Sequence, residues 1–331
     1  MTTINDVAKL AKVAKSTVSN CLNGTKNVSP EIRERVMAAC RQLDYIPSLV
    51  ASTLVTKRTN VIGLFLGTNN KYERFFGDLI KGVMISASEI GYKTLLYYSV
   101  NQQEMSSNLH SKSLIDGAIL LAPLVDDFRI KLISEDNIPF VIIGRPKEDL
   151  GYYYIDVDNV TITFEVTQRL IKLGHRKILF FNYEKDYTIS IDRNEGFEQA
   201  LHLYRINKDN CKVIHADNEG NTAYAYLKEH LNKDFEYTAI IVPSDIAGAR
   251  VYEICKEREY AIGKDISVAA LGGNSVATTL EPSLTTMVQN YEEMAKQCVE
   301  LLNDQLSGIP VTERYLHSDY KIVSTDSCAG I

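Results

Sequence analysis

The stretch Thr2-Thr3-Ile4-Asn5-Asp6-Val7-Ala8-Lys9-Leu10-Ala11-Lys12-Val13-Ala14-Lys15-Ser16-Thr17-Val18-Ser19-Asn20-Cys21-Leu22-Asn23-Gly24 decides how this chain is read. Thr2 to Ala11 predict a short helix that opens with a variant capping box, Thr3 with Asp6. Lys12-Val13-Ala14 reads as a turn. Lys15 to Gly24 predict a second short helix stopped by Asn23-Gly24. Ser29-Pro30-Glu31 opens a third, with Ser as N-cap and Pro in the first helical position. Ile32, Val36, Ala39, Cys40 and Leu43 fall near a 3.6 period, so one face of that helix can cover the first two. Two short helices joined by a tight turn form a helix-turn-helix, whose second helix enters the DNA major groove.

The charge distribution points the same way. Residues 1–60 hold nine Lys and Arg against four acids, leaving 27 basic and 38 acidic residues in the remainder. A basic N-terminal segment on an acidic body suits phosphate contact at one end only. By the same geometry, Lys15, Ser16 and Asn20 on the second helix are the candidates for base edges, with Thr17 and Ser19 nearer the backbone. Lys can bond guanine acceptors and Asn can bond adenine in a bidentate way.

From Val61 the pattern becomes alternating strands and helices. Strand-like runs are Val61–Leu66, Thr94–Tyr98, Ala118–Leu121, Phe140–Ile143, Ile178–Phe181, Ala239–Val242 and Val268–Leu271. Helical stretches between them include 73–90, 159–173, 220–232 and 291–307. This alternation predicts doubly wound parallel sheets in two similar Rossmann-like lobes. A ligand site is expected between them, at the carboxyl ends of the strands. Tyr72, Phe75 and Phe76 follow the first strand as a candidate stacking wall, Arg145 follows Val141–Ile143, and Gln289 lies at a crossing between lobes.

Ile4-x-Asp6-Val7-Ala8-x-x-Ala11-x-Val13, followed by Ser16-Thr17-Val18-Ser19, resembles the LacI/GalR family of bacterial transcription regulators, as does Tyr45-x-Pro47-x-x-x-Ala51-x-x-Leu54. Val61-Ile62-Gly63-Leu64, Gly174-His175-Arg176, Arg193-x-x-Gly196-Phe197 and Leu284-Thr285-Thr286 sit at family-like spacings, so the resemblance spans nearly the whole chain. It implies an all-α helix-turn-helix headpiece over residues 1–47 and a hinge helix with linker over 48–60. Residues 61–331 would then be a two-lobed, periplasmic-binding-protein-like effector domain. Lobe one would hold residues 61–160 and 290–321, and lobe two 161–289 and 322–331. The resemblance also makes Leu54 a wedge for the DNA minor groove, and assigns effector contacts to Arg193, Asp245 and Asn274. The implied partners are a palindromic operator, a second copy of the chain, and a small effector, a sugar or sugar phosphate. Repression of a carbohydrate-use operon is the leading expectation. A purine or protein co-repressor, or a solute-binding protein without DNA function, are the alternatives.

Enzyme readings find no support. No G-x-G-x-x-G follows a strand, and no P-loop, H-E-x-x-H or G-x-S-x-G motif is present. The six Cys show no C-x-x-C and no metal-like pairing with His, so neither cofactor nor metal is expected. Without a signal peptide or a long apolar span, the expected location is cytoplasmic, with no membrane contact.

Overall fold

The structure is a computed structural model that describes residues 2–23, 28–45, 58–66, 77–98, 103, 105–106, 114–148, 150–273 and 276–331. The chain divides into two units, Met1–Val61 with Ser111–Asp116, and Ile62–His110 with Gly117–Ile331. The expected hinge helix falls outside the described residues.

In the first unit, α1 (Ile4–Ala11), α2 (Lys15–Asn23) and α3 (Pro30–Gln42) surround a small core of Val7, Val18, Val36 and Ala39. The Asp6 carboxylate accepts the Thr3 N–H at 2.9 Å and the Thr3 hydroxyl at 2.7 Å, which fixes the start of α1. Ser29 caps α3 by accepting the Ile32 N–H. Arg35 of α3 donates to the Ala11 and Lys12 carbonyls at the end of α1, where a cation complements exposed carbonyls. Lys12 sits in the left-handed region (φ 53°), which makes the turn between α1 and α2 tight. Further along, the Asp116 carboxylate accepts the backbone N–H groups of Thr59 and Asn60.

The second unit contains two six-stranded sheets. The first comprises β1 (Val61–Phe65), β2 (Lys93–Tyr97), β3 (Gly117–Leu121), β4 (Phe140–Ile143), β5 (Tyr153–Asp156) and β11 (Tyr315–His317), in the order β11-β5-β4-β3-β1-β2. The second comprises β6 (Ile178–Asn182), β7 (Lys212–His215), β8 (Ala239–Val242), β9 (Ser267–Ala270), β10 (Thr285–Gln289) and β12 (Tyr320–Val323), in the order β12-β10-β9-β8-β6-β7. Apart from the β1–β2 edge pair, pairing among the described residues is parallel except between β10 and β12. Central strands such as β3, β6 and β8 are buried along their whole length, as parallel strands covered on both faces must be.

Helix α4 (Gly77–Glu89) packs on α10 (Tyr291–Ser307) in the first lobe, and α6 (Asn159–Lys172) packs on α7 (Thr188–Leu203) in the second. The chain therefore changes sheets between Asp156 and Ile178, between Gln289 and Tyr315, and between His317 and Tyr320. The last change falls before residue 322, where the sequence placed it, because Tyr320 and Lys321 already pair with Gln289 and Val288 of the second sheet. Gly196 explains part of the Arg193-x-x-Gly196-Phe197 spacing. A Cβ there would stand 2.1 Å from the Val160 carbonyl, so only glycine lets α7 press this closely on α6. Phe197, one residue on, meets Phe180 of β6 at 5.1 Å between ring centroids.

Candidate functional site

In the headpiece, Lys15 and Ser16 are exposed at the start of α2, while Thr17, Ser19 and Asn20 are half-buried along it. Val18 and Cys21 turn into the core. The helical period thus separates one packed face from a polar one that carries Lys15, Ser16 and Asn20. The Ala14 carbonyl accepts the Thr17 and Val18 N–H groups, although its side chain has no oxygen to cap the helix. Leu54 lies outside the described residues.

In the second unit, a cavity of about 70 Å³ lies between the two sheets. Its walls come from the carboxyl ends of strands and the helices that follow them, where doubly wound folds bind ligands. Ala122 and Pro123 follow β3, Ile143 and Gly144 end β4, Asp156 and Val157 end β5, Tyr183 follows β6, and Gln289 ends β10. Asn159, Thr188 and Tyr291 enter from the first turns of α6, α7 and α10, and Arg193 from the second turn of α7. Gly144 adopts φ +113°, and a Cβ there would stand 2.5 Å from the Pro123 ring.

The polar wall is a connected network. Arg193 is 1% exposed and donates to the Pro243 carbonyl at 3.0 Å, the Leu271 carbonyl, and Asn159 Oδ1 at 3.4 Å. Its guanidinium also lies 5.5 Å from the Tyr183 ring centroid. Burial lowers its pKa, and nearby Tyr183 and Tyr291 oppose that shift. The Asp156 carboxylate accepts the Arg145 and Val157 N–H groups at 2.9 and 2.8 Å and the Asn159 amide at 3.3 Å. Desolvation outweighs those donors and pushes Asp156 up to about 7. Burial likewise pushes the Tyr291 phenol up to about 12 and raises Tyr183 further.

The other expected contacts divide. Gln289 lines the cavity with Arg193. Arg145 is turned away from it: its Nε donates to Asp192 Oδ2 at 2.9 Å, its Nη2 also meets Asp192, and the hydrogen bond to Asp192 raises its pKa. Asp245 begins α9 (Asp245–Glu257), is fully buried, and accepts the Thr286 hydroxyl without lining the cavity. Tyr72, Phe75, Phe76 and Asn274 lie outside the described residues. Asp156, Asn159, Tyr183 and Tyr291 went unrecognised in the sequence, because nothing local marks the end of a short strand as a cavity wall.

Residues 3–48 match the bacterial regulatory proteins of the lacI family, and residues 167–328 match a periplasmic binding protein-like domain. The chain is 30% identical over 316 residues to the HTH-type transcriptional regulator CelR of Thermobifida fusca, covering 92% of each protein. It is a LacI-family transcription regulator. The family is one of regulators and not of enzymes. The ribose operon repressor of Haemophilus influenzae is 28% identical over 93% of both chains. Among solved structures, a CelR–cellobiose complex superposes with a TM-score of 0.73 at 26% identity, over 99% of this chain and 100% of that one. The lac repressor dimer bound to operator and the anti-inducer ONPF reaches 0.85 at 21% identity, over 99% of each, which is a likeness of fold. No helix among the described residues is long and apolar enough to cross a membrane.

Proposed function

We propose that this LacI-family chain is a sugar-responsive repressor of a carbohydrate-use operon, acting in the cytoplasm as a homodimer on a palindromic operator. The observation that carries this reading is the cavity between the lobes, walled at the carboxyl ends of both sheets and holding Asp156, Asn159, Arg193 and Gln289. A ligand there touches both lobes at once, so it biases their relative orientation. It can do so only by its difference in affinity between the two arrangements. Relatives named for cellobiose binding and for ribose operon repression support a sugar as that ligand.

Lys15, Ser16 and Asn20 are assigned to base edges, and Thr17 and Ser19 to positioning on the phosphates. Leu54 is assigned to the minor groove and Asn274 to the effector, with Tyr72, Phe75 and Phe76 beside it. Arg145 and Asp245 are assigned to the frame around the effector, through Asp192 and Thr286. Dimerisation is supported by exposed apolar side chains on α4 (Met84, Ile85) and on β2 (Leu95, Leu96), an edge strand. Such a patch and an open edge call for a partner. The test is DNA selection from a random pool, followed by sedimentation of the complex with and without sugar. Recovery of palindromic sites bound by two chains and released by a sugar is the expected outcome. Recovery of no preferred sequence overturns the reading.

A further inference from the structure

We propose that Asp156 is a proton-operated latch between the two lobes: while its carboxyl is protonated the lobes stay together at their seam, and once it ionises they part more readily. The inference needs no ligand and stands whatever the cavity binds. Asp156 ends β5, where the chain first leaves the first sheet, and its buried carboxyl bonds to both sides of that passage. On one side it accepts the Arg145 N–H at 2.9 Å, and on the other the Asn159 amide of α6 at 3.3 Å. The described charged and titratable groups around it come from every neighbouring element. Arg145 follows β4, Tyr154 shares β5, Tyr315 and His317 lie on β11, Asp158 caps α6, and Asp192 and Arg193 project from α7. Tyr183 and Tyr291 share the cavity wall with it. His317 pairs with Asp156 in the register of β11 and β5, but its ring is exposed and hydrogen-bonds to the Tyr315 hydroxyl at 2.9 Å.

The Arg145 guanidinium is committed to Asp192 of the other lobe, so Asp156 receives only the Arg145 backbone N–H. Closing the seam therefore takes water from the Asp156 carboxyl and brings the like charge of Asp192 near it. Desolvation and Asp192 both favour the protonated form, the backbone donors and Arg193 only partly offset them, and Asp156 is pushed up to about 7. Parting the lobes returns water and withdraws Asp192, so the proton is held less tightly. By linkage, the closed arrangement gains a preference that is full below the ordinary value of 3.8 and is lost as pH rises through about 7. Two interlobe hydrogen bonds report on closure directly: the Val125 N–H to the Asp186 carbonyl at 2.7 Å, and the Thr188 N–H to the Pro123 carbonyl at 3.2 Å.

The experiment is amide hydrogen exchange of the full chain without ligand, from about pH 5 to about pH 8, with rates corrected for the intrinsic pH dependence of exchange. Leu120 in β3 and Phe180 in β6, each fully buried within one lobe, are the references. Protection at Val125 and Thr188 should lie below that of the references at every pH and should fall about tenfold or more as pH rises. The fall should be absent from Asp156→Asn and present in His317→Gln. Seam protection that ignores pH in the wild type overturns the latch. So does seam protection equal to that of Leu120 and Phe180, which would mean that the lobes part only when the chain unfolds. A fall that survives in Asp156→Asn, or vanishes in His317→Gln, puts the proton on another group and overturns the assignment to Asp156.

Discussion

Arg145 at the end of β4 and Asp192 on α7 form a two-pronged ion pair that joins the two lobes beside the cavity. The Asp192 side chain is 6% exposed and that of Arg145 is 39%, so the carboxylate is largely desolvated and the cation partly hydrated. The same seam carries the Val125 N–H to Asp186 carbonyl bond at 2.7 Å and the Thr188 N–H to Pro123 carbonyl bond at 3.2 Å. These bonds hold the lobes in the arrangement described here, and an effector must act with or against them.

Breaking the pair should therefore change effector response without touching the effector. Arg145→Gln and Asp192→Asn should each shift the half-saturating sugar concentration by about tenfold, or about 1.4 kcal/mol. The double variant should fall short of the sum by about 0.5–1.4 kcal/mol, since either change alone already breaks the pair. Calorimetry on the four proteins checks this. Additive effects would show that Arg145 and Asp192 act separately.

Gly196 should tolerate no side chain. Gly196→Ala drives a Cβ onto the Val160 carbonyl and should cost about 3 kcal/mol through forced separation of α6 and α7. Gly77→Ala is the control. Its Cβ meets nothing within 4 Å, and the substitution should be neutral or stabilising by up to about 1 kcal/mol. Urea titration of both variants decides between a packing role and an incidental glycine.

Asp156 should give stability an acid-side component. Its pKa rises from 3.8 to about 7 in the fold, chiefly through desolvation, so the folded chain holds this proton more tightly than the unfolded one. The fold is then penalised as the carboxyl ionises, and this contribution weakens stability as pH rises from 3.8 to about 7. Asp156→Asn removes the effect. The variant should gain on the wild type by up to about 4 kcal/mol across that window and run parallel to it above. A constant difference at every pH would show that Asp156 titrates normally.

Much of this was legible in the sequence where the signal is local. The headpiece helices, their caps and their turn follow from neighbouring residues such as Thr3 with Asp6 and Ser29 with Pro30. The apolar strands β4 and β8 stand where continuous runs of Val and Ile predicted them. The shorter or more mixed strands β5, β7, β10, β11 and β12 escaped, since Tyr153-Tyr154-Ile155-Asp156 and Lys212-Val213-Ile214-His215 carry too few consecutive apolar residues. Site residues escaped for a different reason. Arg145 follows a strand just as a ligand contact would, and only the fold brings Asp192 to it across 47 residues of sequence. Arg193 was visible through its motif. Its bonds to Pro243 and Leu271 carbonyls were not, and they give it a structural load as well.

Asn20 should read sequence and not merely backbone. Asn20→Ala should cost about 1–3 kcal/mol on the preferred DNA site and relax the preference at one position in each half. Binding to variant sites by fluorescence anisotropy separates this from uniform weakening, which would place Asn20 on a phosphate.

The central claim is that a ligand in the interlobe cavity governs DNA binding by the headpiece, and one titration tests it directly. A fluorescent duplex carrying the selected site is titrated with the full chain, once alone and once with a sugar at 100 times its Kd. The account predicts at least a tenfold change in DNA affinity, with each curve weakening steeply as salt rises, because the basic headpiece displaces counterions from phosphates. Equal DNA affinity with the cavity filled and empty would contradict it.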